Sequence, residues 1–194
     1  MTVANTKVLG PYNRFALWVQ GCLKQCPGCL SQDSQPLDGG YEADTMDLAE
    51  TIINTQDIEG ITISGGEPFL QSEALVDLVN RVRAKKDIGV IVYTGNDLNE
   101  IEDNELTKLC DIVIDGEYID GLNDGLSLRG SSNQKICMIT KRYESEAEKL
   151  YGVQGRKTEL YFREDQTTMV GIPDKKTRQW LNDNFKKRLL EEEK

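Results

Sequence analysis

Short apolar, β-branched runs that alternate with amphipathic stretches constrain this chain more than any other feature. Residues 15–19, 61–63, 88–93 and 112–114 read as buried strands. Between them, Leu48, Ala49, Ile52 and Ile53 share one helix face, and Leu75, Leu78, Val79 and Val82 recur at i, i+3, i+4 and i+7. Leu98, Ile101, Leu106 and Leu109 form a looser third helical case. This alternation requires βαβ units on a parallel sheet. After Gly116 the pattern changes. A Gly- and Ser-rich loop spans 120–133, and 135–140 reads as a fifth strand. Residues 142–151 read as helical. Residues 158–162 and 167–172 flank Glu164-Asp165-Gln166 as a hairpin. Pro173 stands before or at the start of a final helix expected to bury Trp180, Leu181, Phe185 and Leu189. The 194 residues divide into a core, 1–140, and a C-terminal extension of the same domain, 141–194.

Histidine is absent, which removes Ser-His-Asp and Cys-His catalysis and every His-containing zinc site. Of five cysteines, Cys22, Cys26 and Cys29 fall together; Cys110 and Cys137 are read as small buried hydrophobes. An odd count without a signal segment is not a disulfide framework. The N-terminus is too short and polar for a signal peptide, and no run approaches the ~18–20 apolar residues that cross a bilayer, so a cytoplasmic location is expected. A net charge of −10 lacks the attraction to phosphates that drives nucleic-acid binding, and it disfavours an anionic membrane.

Cys22-Leu23-Lys24-Gln25-Cys26-Pro27-Gly28-Cys29 follows the first strand with C-x3-C-x2-C spacing. Three thiolates on a compact loop can hold three irons of a 4Fe–4S cube and leave the fourth open. Spacing alone leaves zinc or an incidental thiol cluster open as well, although zinc would need a distant fourth ligand. Ser64-Gly65-Gly66-Glu67-Pro68, Tyr93-Thr94-Gly95-Asn96 and Asp115-Gly116-Glu117-Tyr118 follow the next three strands. Each alone is an ordinary βα turn. Together they occupy the C-terminal strand edge, where parallel α/β folds build their sites. Trp18 lies near the thiols and reads as core.

The cysteine motif followed by Gly65-Gly66-Glu67-Pro68 resembles the radical S-adenosylmethionine (SAM) enzymes. Gln20-Gly21-Cys22, Cys26-Pro27-Gly28-Cys29, Tyr93-Thr94-Gly95, Ile114-Asp115-Gly116 and residues 129–134 narrow the resemblance to the glycyl-radical activases of anaerobic ribonucleotide reductase, over residues 9–140. The sequence departs from that pattern at Gly10-Pro11-Tyr12, where a second glycine is usual, and at Glu67, where Asp is common.

The resemblance implies a partial (β/α) barrel of the radical SAM type, with the hairpin and helix as an extension. It implies one 4Fe–4S cluster on Cys22, Cys26 and Cys29, whose open iron chelates SAM. Cleavage then yields a 5′-deoxyadenosyl radical. By the same resemblance, carbonyls around Gly65 and Gly66, in the motif with Glu67, accept from the SAM ammonium. Backbone around Gly28, Cys29 and Leu30 borders the adenine, Tyr93, Thr94 and Asp115 line the ribose or methionine, and Arg129 pairs with the carboxylate. The implied partners are a glycyl-radical enzyme and a reductant of flavodoxin or ferredoxin type, without nucleic acid or membrane. The alternative is a stand-alone radical SAM enzyme that modifies a peptide or small molecule.

Overall fold

The structure, a computed structural model, describes residues 1–151, 155–162 and 167–192, without the side chains at 182 and 185–192. Six strands form one sheet in chain order: β1 (Thr2–Thr6), β2 (Arg14–Val19), β3 (Gly60–Gly65), β4 (Gly89–Tyr93), β5 (Ile112–Asp115) and β6 (Lys135–Met138). Strands β2 to β5 are parallel in their pairings, as the alternating pattern requires. The edges β1 and β6 run antiparallel to their neighbours. Strand β1 was not expected from the sequence. TVANT is mostly polar, and only Val3 and Thr6 of it are buried.

Helices cover one face. Asp44 caps α1 (Thr45–Asn54) by accepting from the Met46 N–H, and α1 buries Ala49 and Ile52. Helix α2 (Ser72–Arg83) buries Leu75, Leu78, Val79 and Val82, the stripe its spacing gives. Both pack on Phe15, Leu17, Ile61, Ile63, Val90, Val92 and Val113. The looser third pattern is two helices, α3 (Leu98–Ile101) and α4 (Glu105–Leu109). They part where Asn104 turns out of helical geometry to cap α4.

The other face meets the extension. Tyr143 and Leu150, the latter on α5 (Ala147–Tyr151), pack with Ile91, Ile112, Ile114 and Ile136. A separate antiparallel hairpin, β7 (Thr158–Phe162) and β8 (Thr167–Gly171), places Val170 with Val3, Leu9 and Ala16. The expected turn at Glu164-Asp165-Gln166 lies outside the described residues. Helix α6 (Lys175–Glu192) follows Pro173 as expected, but Trp180 is 57% exposed instead of buried, because the helix is too polar to present a full apolar stripe. Leu181 is half-buried, and the side chains of Phe185 and Leu189 lie outside the described set. The stretch expected as helix from 142 begins with a single 3-10 turn, Glu144–Glu146, before α5. Among the described residues, no helix is long and apolar enough to cross a membrane.

Beneath the parallel strands lies Arg14, fully buried. Its Nε donates to Thr62 Oγ1 (2.6 Å), its Nη1 to Tyr143 Oη (2.7 Å) and Glu59 (3.1 Å), and its Nη2 to the carbonyls of Ile61 (2.7 Å) and Gly89 (3.1 Å). A buried guanidinium is tolerable only when its donors are met in this way.

Candidate functional site

The C-terminal edge of the sheet opens into a cavity of about 1360 Å³. Cys22, Cys26, Cys29 and Leu30 line one wall, and Gly65, Gly66, Glu67, Tyr93 and Thr94 line the next. Residues from separate parts of the chain meet here because parallel strands deliver every βα turn to the same edge.

The cysteine loop enters directly from β2 and is sewn to the loop that follows it. Gly21 N–H donates to Ser34 O (2.8 Å) and Cys22 N–H to Gln35 O (2.9 Å). The glycine pair is sewn to the same entry, with Gly66 N–H on Val19 O (2.8 Å) and Glu67 N–H on Gly21 O (2.7 Å). A Cβ on Gly66 would meet Gly21 O at 2.2 Å, so the two loops touch backbone to backbone. Lys24 packs over Gly95, where a Cβ would sit 3.2 Å from its Cγ.

The three thiols are half-buried. Burial pushes the Cys26 thiol up, and the nearby Tyr118 backbone offsets part of that rise. Ser31 N–H donates to Cys29 Sγ at 3.4 Å. Among the described residues, no three Cys, Asp, Glu or His side chains gather as ligands of a single ion. In a cube each thiolate takes its own iron, and the three cysteines line one cavity together. The donor set therefore fits a three-cysteine cluster with an N–H donor to the Cys29 sulfur.

The remaining expected site residues divide. Glu67 is 4% exposed, and both its oxygens are engaged by protein. Thr94 Oγ1 (2.8 Å) and Phe69 N–H (3.1 Å) donate to one, Gly95 N–H (2.8 Å) to the other. It braces the ends of β3 and β4 together. Asp115 is likewise taken up, accepting from Leu98 N–H (2.9 Å) and Lys135 N–H (3.2 Å), and does not line the cavity. Arg129 is turned away. It pairs with Asp124 (3.3 Å) inside its own loop and lines a separate shallow pocket. Gly28 lies behind the cavity wall, against Asp120. Tyr93 donates to Leu128 O (2.8 Å), and burial raises its phenol so that it stays a neutral donor. Trp18 is half-buried, packs on the Val3 cluster and also lines the cavity.

Sequence reasoning missed three contributions. Lys24 is the one Lys or Arg side chain among the described cavity-lining residues. Its place inside the cysteine motif was a usable signal. Gln134 spans its loop, accepting from Gly130 N–H (2.8 Å) and donating to Gly116 O (2.7 Å). Thr167, Thr168, Met169 and Ile172 bring the extension into the cavity wall, which no local pattern announces.

A mixed α/β sheet with a thiol triad at its C-terminal edge defines an iron–sulfur protein of the single-cluster class. Residues 8–137 match the family described as 4Fe-4S single cluster domain. The anaerobic ribonucleoside-triphosphate reductase-activating protein of Vibrio cholerae is 35% identical over 144 residues, 69% of this chain and 92% of that protein. Its Escherichia coli counterpart is 35% identical over 66% of this chain and 90% of its own length. A pyruvate formate-lyase-activating enzyme of Listeria monocytogenes is 32% identical over 80 residues, 39% of this chain and 32% of that enzyme. The chain belongs to the family of anaerobic ribonucleoside-triphosphate reductase-activating proteins.

Proposed function

We propose that this protein is a radical SAM activase that abstracts hydrogen from a glycine of a partner enzyme of the anaerobic ribonucleotide reductase type. The observation that carries the reading is the meeting of the thiol triad and the bare Gly65-Gly66 backbone in one cavity. Family membership gives it the reaction class. When bound, the 4Fe–4S cluster supplies an electron for cleavage of SAM to methionine and a 5′-deoxyadenosyl radical.

The chain's own part is holding and excluding. Cys22, Cys26 and Cys29 would hold the cluster, with the Ser31 N–H directed at the Cys29 sulfur. Gly65 and Gly66 leave the strand end without side chains, so a ligand can approach the backbone. Lys24 lines the cavity and Arg129 does not, so Lys24 would be the cation within reach of a ligand carboxylate. The Glu67–Thr94 brace keeps β3 and β4 ends at fixed spacing, so that the groups on them need no reorganisation. We read the sheet as a partial (β/α) barrel and the cell compartment as the reducing cytoplasm. We read residues 141–194 as part of the same domain, since Tyr143 and Val170 are buried with core residues. The reductant would be of flavodoxin or ferredoxin type.

A macromolecular target suits the mouth, where Leu37 is 66% and Tyr41 82% exposed. The second reading, a stand-alone enzyme with a private pocket, draws on Thr167, Thr168 and Met169 of the hairpin in the cavity wall. Anaerobic incubation with SAM and reductant, with and without a candidate reductase, separates the two. A glycyl signal in electron paramagnetic resonance on the partner is expected. Partner-independent SAM turnover that yields a modified peptide or metabolite would replace the first reading with the second.

A further inference from the structure

The extension lies outside the matched family segment, which ends at 137, yet it reaches the cysteine loop. Arg178, on the first turn of α6, donates through Nη1 to Gly28 O (3.2 Å) and through Nη2 to Asp120 Oδ1 (2.6 Å). The same Asp120 oxygen accepts from Tyr118 Oη (2.8 Å). Asp120 also packs flush on Gly28, where a Cβ would meet its Cβ at 3.0 Å. One guanidinium thus ties the carbonyl before Cys29 to the segment of Tyr118 and Asp120.

The loop needs such a tie. Between Cys22 and Cys29 it has no regular structure and turns through positive φ at Gln25 (50°) and Gly28 (75°). Its one internal backbone bond is Cys29 N–H to Cys26 O (3.1 Å). Arg178 is itself anchored. Asp174 caps α6 by accepting from Thr177 N–H (2.7 Å), and Asn123 donates to Pro173 O (3.4 Å). Arg156 donates to the carbonyls of Arg129 (2.8 Å) and Gly130 (3.2 Å). The extension therefore grips residues 120–130 at several points and holds Arg178 against the loop.

We propose that Arg178 is a positioning residue, and that the C-terminal extension is a clasp which sets Cys26 and Cys29 before any cluster is loaded. A planar fork can hold a carbonyl and a carboxylate at once; a lysine can hold only one of them well. The proposal rests on the reading that these cysteines carry the cluster, but its test does not.

The test uses the full-length apo-protein under anaerobic conditions. Peptide-resolved alkylation rates and amide hydrogen exchange over 22–30 are compared for wild type, Arg178→Ala, Arg178→Lys, Asp120→Asn and the exposed control Lys176→Ala. Alkylation of Cys26 and Cys29 is expected to rise about fivefold or more in Arg178→Ala and Asp120→Asn, the effect of losing ~1 kcal/mol from a closed loop. Arg178→Lys is expected to recover part of the protection, and Lys176→Ala to match wild type. Cys110, fully buried, reports global unfolding. If it becomes reactive in Arg178→Ala, the near-isosteric Asp120→Asn decides. Wild-type rates at Cys26 and Cys29 in Asp120→Asn, or in a folded Arg178→Ala, would overturn the clasp. After reconstitution, the folded variant should also show a higher KM for SAM with a smaller change in kcat. If wild type takes up no iron on the triad, the cluster reading fails while the clasp result stands.

Discussion

At Gly66 the backbone leaves no room for a side chain. Beyond Gly21 O at 2.2 Å, an added Cβ would meet Ser34 O at 2.7 Å, and both neighbours belong to the segments that bound the cysteine loop. Gly66→Ala must therefore move the entry to Cys22 as well as the strand end. We expect less iron per chain after anaerobic reconstitution, together with weaker SAM binding. A variant with full iron content would limit this glycine to the cosubstrate. Cys110 gives the contrasting case. Its thiol is enclosed, donates to Leu106 O (3.1 Å), and burial pushes it up to about 12. The unfolded thiol ionises near ~8.5, so the folded state keeps a proton that the unfolded state loses. Its stabilising contribution is complete below that value and declines as pH rises toward 12. Cys110→Ser should lower stability at pH 7, flatten this alkaline decline in chemical denaturation, and leave iron content unchanged. Loss of iron in a soluble Cys110→Ser, Cys137→Ser double variant would make one of them a ligand.

Among the elements, α1 shows how local chemistry fixes an end. Asp44 Oδ1 accepts from Met46 N–H at 2.7 Å, and Asp44→Ala should cost about 1 kcal/mol, read as a fall in the urea midpoint at constant slope. The helical stripe of α2 and the strands β2 to β5 were legible because burial on the sheet demands continuous β-branched runs and helix packing demands a 3.6-residue period. Strand β1 was not legible. It is an edge with two inward residues, stabilised by its ladder to β2 and not by its composition. The break between α3 and α4 was hidden because Leu98, Ile101, Leu106 and Leu109 keep a nearly helical spacing across it. At the site, the cysteine motif and glycine pair were readable as residue types. The employment of Glu67 and Asp115 was not, because Thr94, Gly95, Leu98 and Lys135, which engage them, stand 17 or more positions away in other elements and turns. Arg129 misled for the opposite reason: its partner Asp124 stands five positions away in the same loop.

For the molecule as a whole, the buried Arg14 is the joint between core and extension. From β2 it reaches β3 through Thr62 and Ile61, β4 through Gly89, and the extension through Tyr143, whose hydroxyl also donates to Glu59 at 2.5 Å. Tyr143→Phe removes the shortest acceptor of Arg14 Nη1 and one of the two donors to Glu59 Oε2, which then keep each other at 3.1 Å. A loss of about 1–3 kcal/mol is expected in equilibrium unfolding, as a single transition in which core and extension probes coincide. Separate transitions would mean that the extension folds independently of the sheet. The same joint has a consequence for the order of events on the ribosome. When β6 has left the exit tunnel the six-stranded sheet is complete in sequence, but the guanidinium at its base still lacks Tyr143. The patch of Val3, Leu9 and Ala16 lacks Val170. The nascent chain must carry a guanidinium that has its partners within the sheet but lacks its cover, and a bare apolar face, until some thirty further residues are made, about two to six seconds at ordinary elongation rates, an interval in which exposed apolar surface invites chaperones.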